Sequence, residues 1–147
     1  MLTLHTAARV ATGDGALIDR GAVAVSGDRI VHIGPLAGAR ALHPAARVRE
    51  WPGLLGPARV HTGPLPVAPS PREIVHALLK TGATAVLADR VGADPALRSA
   101  AARADVRLVA SAVRTPLTVG ARADFSVLDG PECVATVCAG RLVHRRR

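Results

Sequence analysis

The run Trp51-Pro52-Gly53-Leu54-Leu55-Gly56-Pro57-Ala58-Arg59-Val60-His61-Thr62-Gly63 carries a short apolar segment to a histidine. Gly53, Gly56, Pro52 and Pro57 punctuate it, and the residues between them read as a strand whose carboxyl end presents His61. Just upstream, Arg47-Val48-Arg49-Glu50-Trp51 reads as another strand. Further back, residues 21–25 and 29–33 form the clearest hairpin, joined around Ser26-Gly27-Asp28. Val23, Val25, Ile30 and Ile33 are expected in its core. Residues 2–10 alternate as a first strand before a Gly13-Asp14-Gly15 turn, and residues 35–42 read as a short helix stopped at His43-Pro44.

Downstream of His61, prolines at 64, 66, 69 and 71 make a stiff connection. It ends in a helix start: Ser70 with Glu73 forms a capping box, and Pro71 takes the first helical position, where a missing amide is harmless. Ile74, Val75, Leu78 and Leu79 make the apolar stripe, Gly82 terminates the helix, and His76 falls off the stripe toward solvent. Residues 83–88 read as a buried strand, Asp94-Pro95 opens a helix running to about residue 104, and residues 106–110 read as a second buried strand. Strand, helix, strand implies a right-handed parallel crossover. Residues 134–138 and 141–144, joined around Ala139-Gly140, form a closing hairpin.

At 147 residues and 49% hydrophobic content, the chain is expected to be one domain with a sizeable core. Its net charge of +8 rests on arginine, since Lys80 is the only lysine. The arginines are scattered; only Arg145-Arg146-Arg147 form a block, which reads as a solvated tail. With Trp51 and Phe125 as the aromatic complement and no tyrosine, the chain lacks the stacking platform of single-strand binders, so nucleic acid is not the expected partner. No apolar run reaches about 18 residues, and residues 1–5 lack a signal peptide's basic start and apolar core. No membrane role is expected, and a cytoplasmic location is. Cys133 and Cys138, an odd number of residues apart, should point to opposite faces of a continuous strand as free thiols. His5 and His32 read as strand histidines rather than ligands. The sequence offers no Gly-rich phosphate loop, Ser/His/Asp set or CxxC pair.

Several phrases in order carry a resemblance: the Thr12-Gly13-Asp14-Gly15 turn, Gly21-Ala22-Val23-Ala24-Val25, Asp28-Arg29-Ile30-Val31-His32-Ile33-Gly34-Pro35, Trp51-Pro52-Gly53, and Pro116-Leu117-Thr118-Val119-Gly120-Ala121-Arg122-Ala123-Asp124-Phe125-Ser126-Val127-Leu128-Asp129. They resemble the amidohydrolases, above all imidazolonepropionase and aminodeoxyfutalosine deaminase. In that family a Pro-Gly-Leu-Leu/Val phrase leads into the catalytic barrel and to a His-x-His pair that binds a divalent metal. Lys80-Thr81-Gly82-Ala83-Thr84-Ala85-Val86 is similar to the first helix-to-strand junction of that barrel. The resemblance implies an α+β fold, mainly a β composite sandwich built from both chain ends, residues 1–61 and 115–147. Residues 62–114, an α/β insert with a small βαβ remnant, stand where the family places a barrel of about 250 residues.

The family's chemistry needs several histidines and an aspartate to hold the metal and activate water for attack on a C–N bond. Here the pair is broken, because Gly63 stands where the second histidine would be. Only His61 carries over, as a vestigial metal ligand. His76 and His144 match no later-strand ligand, and Asp89 and Asp124 are acids of suitable chemistry without a matching motif. The expectation is therefore a non-catalytic interaction or regulatory module with no catalytic residue and no cofactor, partnered by a second copy or by a related amidohydrolase. The alternative is a metal-dependent hydrolase or deaminase acting on non-peptide C–N bonds, with zinc or iron held by His61 and ligands from a second chain.

Overall fold

The computed structural model describes residues 1–146, so Arg147 of the basic tail lies outside the described residues. β1 (Leu2–Ala11), β2 (Leu17–Asp19), β3 (Gly21–Ser26), β4 (Arg29–Pro35), α1 (Leu36–Leu42), β5 (Arg47–Pro57) and β6 (Arg59–His61) come first. Then follow α2 (Pro71–Lys80), β7 (Ala83–Leu87), α3 (Ala88–Val91), α4 (Pro95–Arg103), β8 (Arg107–Val109), β9 (Phe125–Asp129), β10 (Glu132–Cys138) and β11 (Arg141–Arg145).

The two ends of the chain build one mixed sheet in the order β11-β10-β9-β5-β1-β3-β4, with β2 added to β1. β1 runs parallel to β5, and β5 pairs antiparallel with β9 from Leu54↔Leu128 to Pro57↔Phe125. Alternation along the strands sends Val10, Val23, Val25, Ile30, Leu55, Phe125, Val127 and Val137 into a single core. Strands from opposite ends of the sheet order meet there, so the sheet curls over itself. The curl is closed by backbone bonds from Ile30 N to Ala121 O at 2.9 Å and from Ala123 N to Asp28 O at 2.7 Å. At the β10–β11 turn Gly140 has φ +80, and a Cβ there would overlap the Gly27 carbonyl of the opposing hairpin. Only glycine allows that approach.

The other face of the sheet is covered in two places. Over β1 and β3, the small residues Ala22 and Ala24 let α1 pack closely through Ala39, beside Leu4. Over β10 and β11, α2 and α4 pack through Val75, Leu78, Leu79, Leu97 and Ala101 against Cys138 and Val143. A buried hydrogen bond from Thr136 Oγ1 to Leu79 O, 2.7 Å long, pins this layer to the sheet. α2 starts as expected, with Ser70 Oγ accepting from Glu73 N at 3.2 Å. α4 starts on Asp94, whose Oδ1 accepts from Ala96 N and Leu97 N. β6, β7 and β8, which come before, between and after these two helices, form a second sheet in the order β6-β7-β8, parallel throughout.

The architecture is mainly β with a mixed sheet, of the α+β kind. Several expectations change. Residues 47–57 form one strand rather than two runs, and Ala58 alone separates it from β6. β8 is an edge strand with Arg107 exposed and Leu108 and Val109 half-buried, not a buried strand, because among the described residues no further strand lies beyond it. β2 and α3 are added. A bulge between Cys133 and Ala135 resets the alternation of β10. Val134 and Ala135 therefore both enter the core. Cys133, Thr136 and Cys138 share the outer face, with Cys133 Sγ 3.4 Å from Thr136 Oγ1. Both thiols are free. Among the described residues no helix is long and apolar enough to cross a membrane.

Candidate functional site

His61 closes β6 in register with Val86 of β7, which in turn pairs with Leu108 of β8. Residues paired this way share a sheet face. Val86 and Leu108 pack under α2 and α4, so His61 lies on the helix-covered side. Its ring Nε2 donates to Pro64 O across 2.9 Å, which fixes the Nε2–H tautomer. A side chain at Gly63 would meet nothing within 4 Å, so space does not dictate the glycine. Arg90 Nε donates to Thr62 O at 2.8 Å and holds the strand's end.

The other residues considered as ligands lie elsewhere. His76 is exposed on α2, Asp89 is exposed in the first turn of α3, and His144 Nε2 is bonded to Cys133 O at 3.0 Å. Among the described residues no group of three His, Cys, Asp or Glu side chains is placed to hold a metal ion. Zinc sites take three or four protein ligands, so His61 alone does not make one within this chain. Asp124 has a structural role. Its Oδ1 accepts from Ala139 N at 2.9 Å and its Oδ2 from Arg122 Nε at 2.6 Å, tying β9 to the β10–β11 turn.

A second group of polar side chains gathers at the opposite, amino ends of the parallel strands. A cleft of about 200 Å³ opens there, lined by Arg29, Arg59, Arg107, Arg122, Thr84 and Asp124, among others. Asp124 is the only acid in the lining. Arg107 Nε stands 3.9 Å from Asp124, beyond the tighter Arg122 contact. Arg59 Nε is buried with no hydrogen-bond partner among the described residues. Sequence reading passed over these arginines because they come from separate segments. The available signal was an arginine leading each of two otherwise apolar strands, Arg59 before Val60 and Arg107 before Leu108 and Val109.

Inside the curled sheet, His5 is 3% exposed, and its Nδ1 accepts from Trp51 Nε1 at 3.2 Å. Burial, with the Arg49 guanidinium as a lesser influence, lowers the imidazole pKa from 6.5 to about 4. It is a neutral core histidine. His32 is a strand histidine as expected, edge-on to His43 at 6.2 Å between ring centres.

No protein-family model matches the chain, and no curated protein matches it. Solved structures do. Guanine deaminase from E. coli is 17% identical, covers 74% of this chain and 35% of its own, and superposes with a TM-score of 0.55. Guanine deaminase from Bradyrhizobium japonicum is 14% identical, with 74% and 34% covered and a TM-score of 0.54. A triazine hydrolase variant is 16% identical, with 73% and 34% covered and a TM-score of 0.52. The chain thus spans about a third of the length of these structures. At such identities the likeness is one of fold, and at that level it agrees with the amidohydrolase resemblance.

Proposed function

We propose that the chain is a non-catalytic, amidohydrolase-like interaction module, and that its small parallel sheet is completed by a second copy of itself. One observation carries this reading. Among the described residues β6 and β8 each pair only with β7, so the three-stranded sheet keeps an unbonded edge on both sides. By alternation, Val60, Leu87 and Val109 lie on the face turned away from α2 and α4, and all three are only half-buried. Parallel sheets occur almost only with both faces covered, and open edges are templates for strand addition. A second copy offers the same edges and the same face, as a two-fold interface requires. A related amidohydrolase is the other partner such a surface suits.

The test is size exclusion with light scattering, with zinc, iron and manganese measured on the same peak. A mass of twice the chain, falling to the monomer mass in Val109→Arg, supports the proposal. A monomer at every concentration refutes it. Stoichiometric metal that disappears in His61→Ala would replace it with the metal-dependent C–N hydrolase or deaminase reading, in which His61 joins ligands from a second chain.

A further inference from the structure

The geometry points to a second, chemically distinct site: the arginine-lined cleft binds a small phosphate-class dianion. Arg59 and Arg107 are the first residues of β6 and β8, the two outer strands of the parallel sheet. β7 lies between them, with Arg59 opposite Ala83 and Arg107 opposite Ala85, so their backbones stand two strand spacings apart across the sheet and two residues apart along it, roughly 12 Å. β7 lines the cleft at Thr84 and Ala85, and on the face shared with Arg107 its side chain is the small methyl of Ala85, which leaves the space above the middle strand open. Two guanidinium groups therefore flank a gap floored by small residues. Arg29 and Arg122 add two more from the facing wall.

The charges in this cleft are unbalanced. Asp124 answers Arg122 directly, with a 2.6 Å contact, and stands 3.9 Å from Arg107. Arg29 reaches Asp28 at 3.5 Å, but both side chains are more than half exposed, where such a pair is weak. Arg59 has a buried Nε with no acceptor. Polar groups that folding buries are ordinarily satisfied, yet among the described residues the Arg59 guanidinium lines the cleft without an internal acceptor to neutralise it.

The surplus of guanidinium over carboxylate favours a doubly charged anion over a monocarboxylate. Tetrahedral phosphate presents several oxygens to paired N–H donors approaching from different sides, and arginine forks match that geometry. The cleft, at about 200 Å³, is smaller than the roughly 300–1,000 Å³ of most cofactor pockets. It suits inorganic phosphate or the phosphate of a small ester. It lies at the amino ends of the strands, away from His61 at the carboxyl end of β6. The two places can therefore be tested separately.

The experiment is calorimetric titration of the full chain with inorganic phosphate, ribose 5-phosphate, acetate and chloride at matched ionic strength. Both phosphates should bind at least roughly tenfold more tightly than acetate or chloride, since charge-assisted hydrogen bonds are the strong ones. Tighter binding of the ester names an organic phosphate as the source, and equal binding names free phosphate. Arg59→Gln and Arg107→Gln should each weaken phosphate binding by roughly tenfold or more. Arg40→Gln removes the same charge from exposed α1, outside the cleft lining, and should leave it unchanged. Should either cleft variant fail to fold by circular dichroism, Arg29→Gln on the facing wall takes its place. Phosphate binding no tighter than chloride, or weakened equally by Arg40→Gln, overturns the site.

Discussion

Acid should loosen this fold through His5 before the carboxylates respond. The imidazole is buried against Phe125, edge to face at 5.1 Å, and its Nδ1 accepts from Trp51 Nε1. A protonated ring has no lone pair for that bond, and burial disfavours its charge. In the unfolded chain His5 titrates near 6.5, whereas in the fold it is held to about 4. Above pH 6.5 both states are neutral and the contribution is fully present. As pH falls from about 6.5 to about 4 the unfolded chain binds a proton that the folded chain refuses, so stability drops. About 2.5 pH units at 1.36 kcal/mol each is a loss of roughly 3 kcal/mol, a large share of a typical 5–15 kcal/mol. With urea slopes of about 1–3 kcal/mol/M, the unfolding midpoint should fall by roughly 1–3 M across this window. Trp51, the only tryptophan, touches the perturbed ring and reports the transition by fluorescence. In His5→Gln the slope between about pH 6.5 and about pH 4 should largely vanish. Equal slopes in both proteins would refute the reasoning. Asp14, lowered from 3.8 by the Thr12 hydroxyl and the Ala16 amide, is stabilising above that value and loses this contribution only at still lower pH.

Gly53→Ala places a Cβ into the Leu128 carbonyl at a residue with φ +82, so the β5–β9 pairing must shift; a cost of about 3 kcal/mol or more should appear in thermal unfolding. Thr136→Val removes one donor from Leu79 O, which keeps the Gly82 amide at 3.1 Å, and should destabilise by about 1 kcal/mol, with faster amide exchange in α2 as the local readout. Ser70→Ala removes the acceptor for Glu73 N and should cost about 1 kcal/mol by urea unfolding, with little change in the curled sheet's exchange pattern.

What could be read from the sequence was whatever is encoded locally. The Ser26-to-Arg29 hairpin, the Ser70 cap, the Gly82 stop and the Ala139-Gly140 turn each combine periodicity with a residue of special backbone or capping chemistry. The strand through Pro52 and Gly53 was legible only as fragments. Its continuity depends on β1 and β9 bonding to it from either side, contacts far away in sequence. The bulge after Cys133 is likewise set by pairing with β9, and it moved a cysteine to the face that alternation assigns to the other side. β2 is three residues long, shorter than any periodicity can reveal, and exists because it pairs with the end of β1. For the candidate sites the division is sharper. His61 stands out because it follows a punctuated strand. The arginine cleft assembles side chains from β4, β6, β8 and the segment before β9, and no local pattern announces it.

Pro57, at the end of β5, pairs with Phe125, at the start of β9. The chain leaves the curled sheet and returns to it at directly opposed positions, so everything between them is a single excursion with its two ends already held together. The entropic cost of such an excursion rises only with the logarithm of its length, about 0.6 kcal/mol for each doubling. From the sheet's side, a long insertion and a short one cost nearly the same. The returning stretch from Leu117 to Ala123 is part of the frame, bonded to Thr12, Asp28 and Ile30, and the rest of the excursion is tied down by its contact with β10, through Thr136 and Cys138. The curled sheet is thus a docking frame whose cargo can be exchanged without rebuilding the frame, provided each new cargo finds its own grip on the outer face of β10.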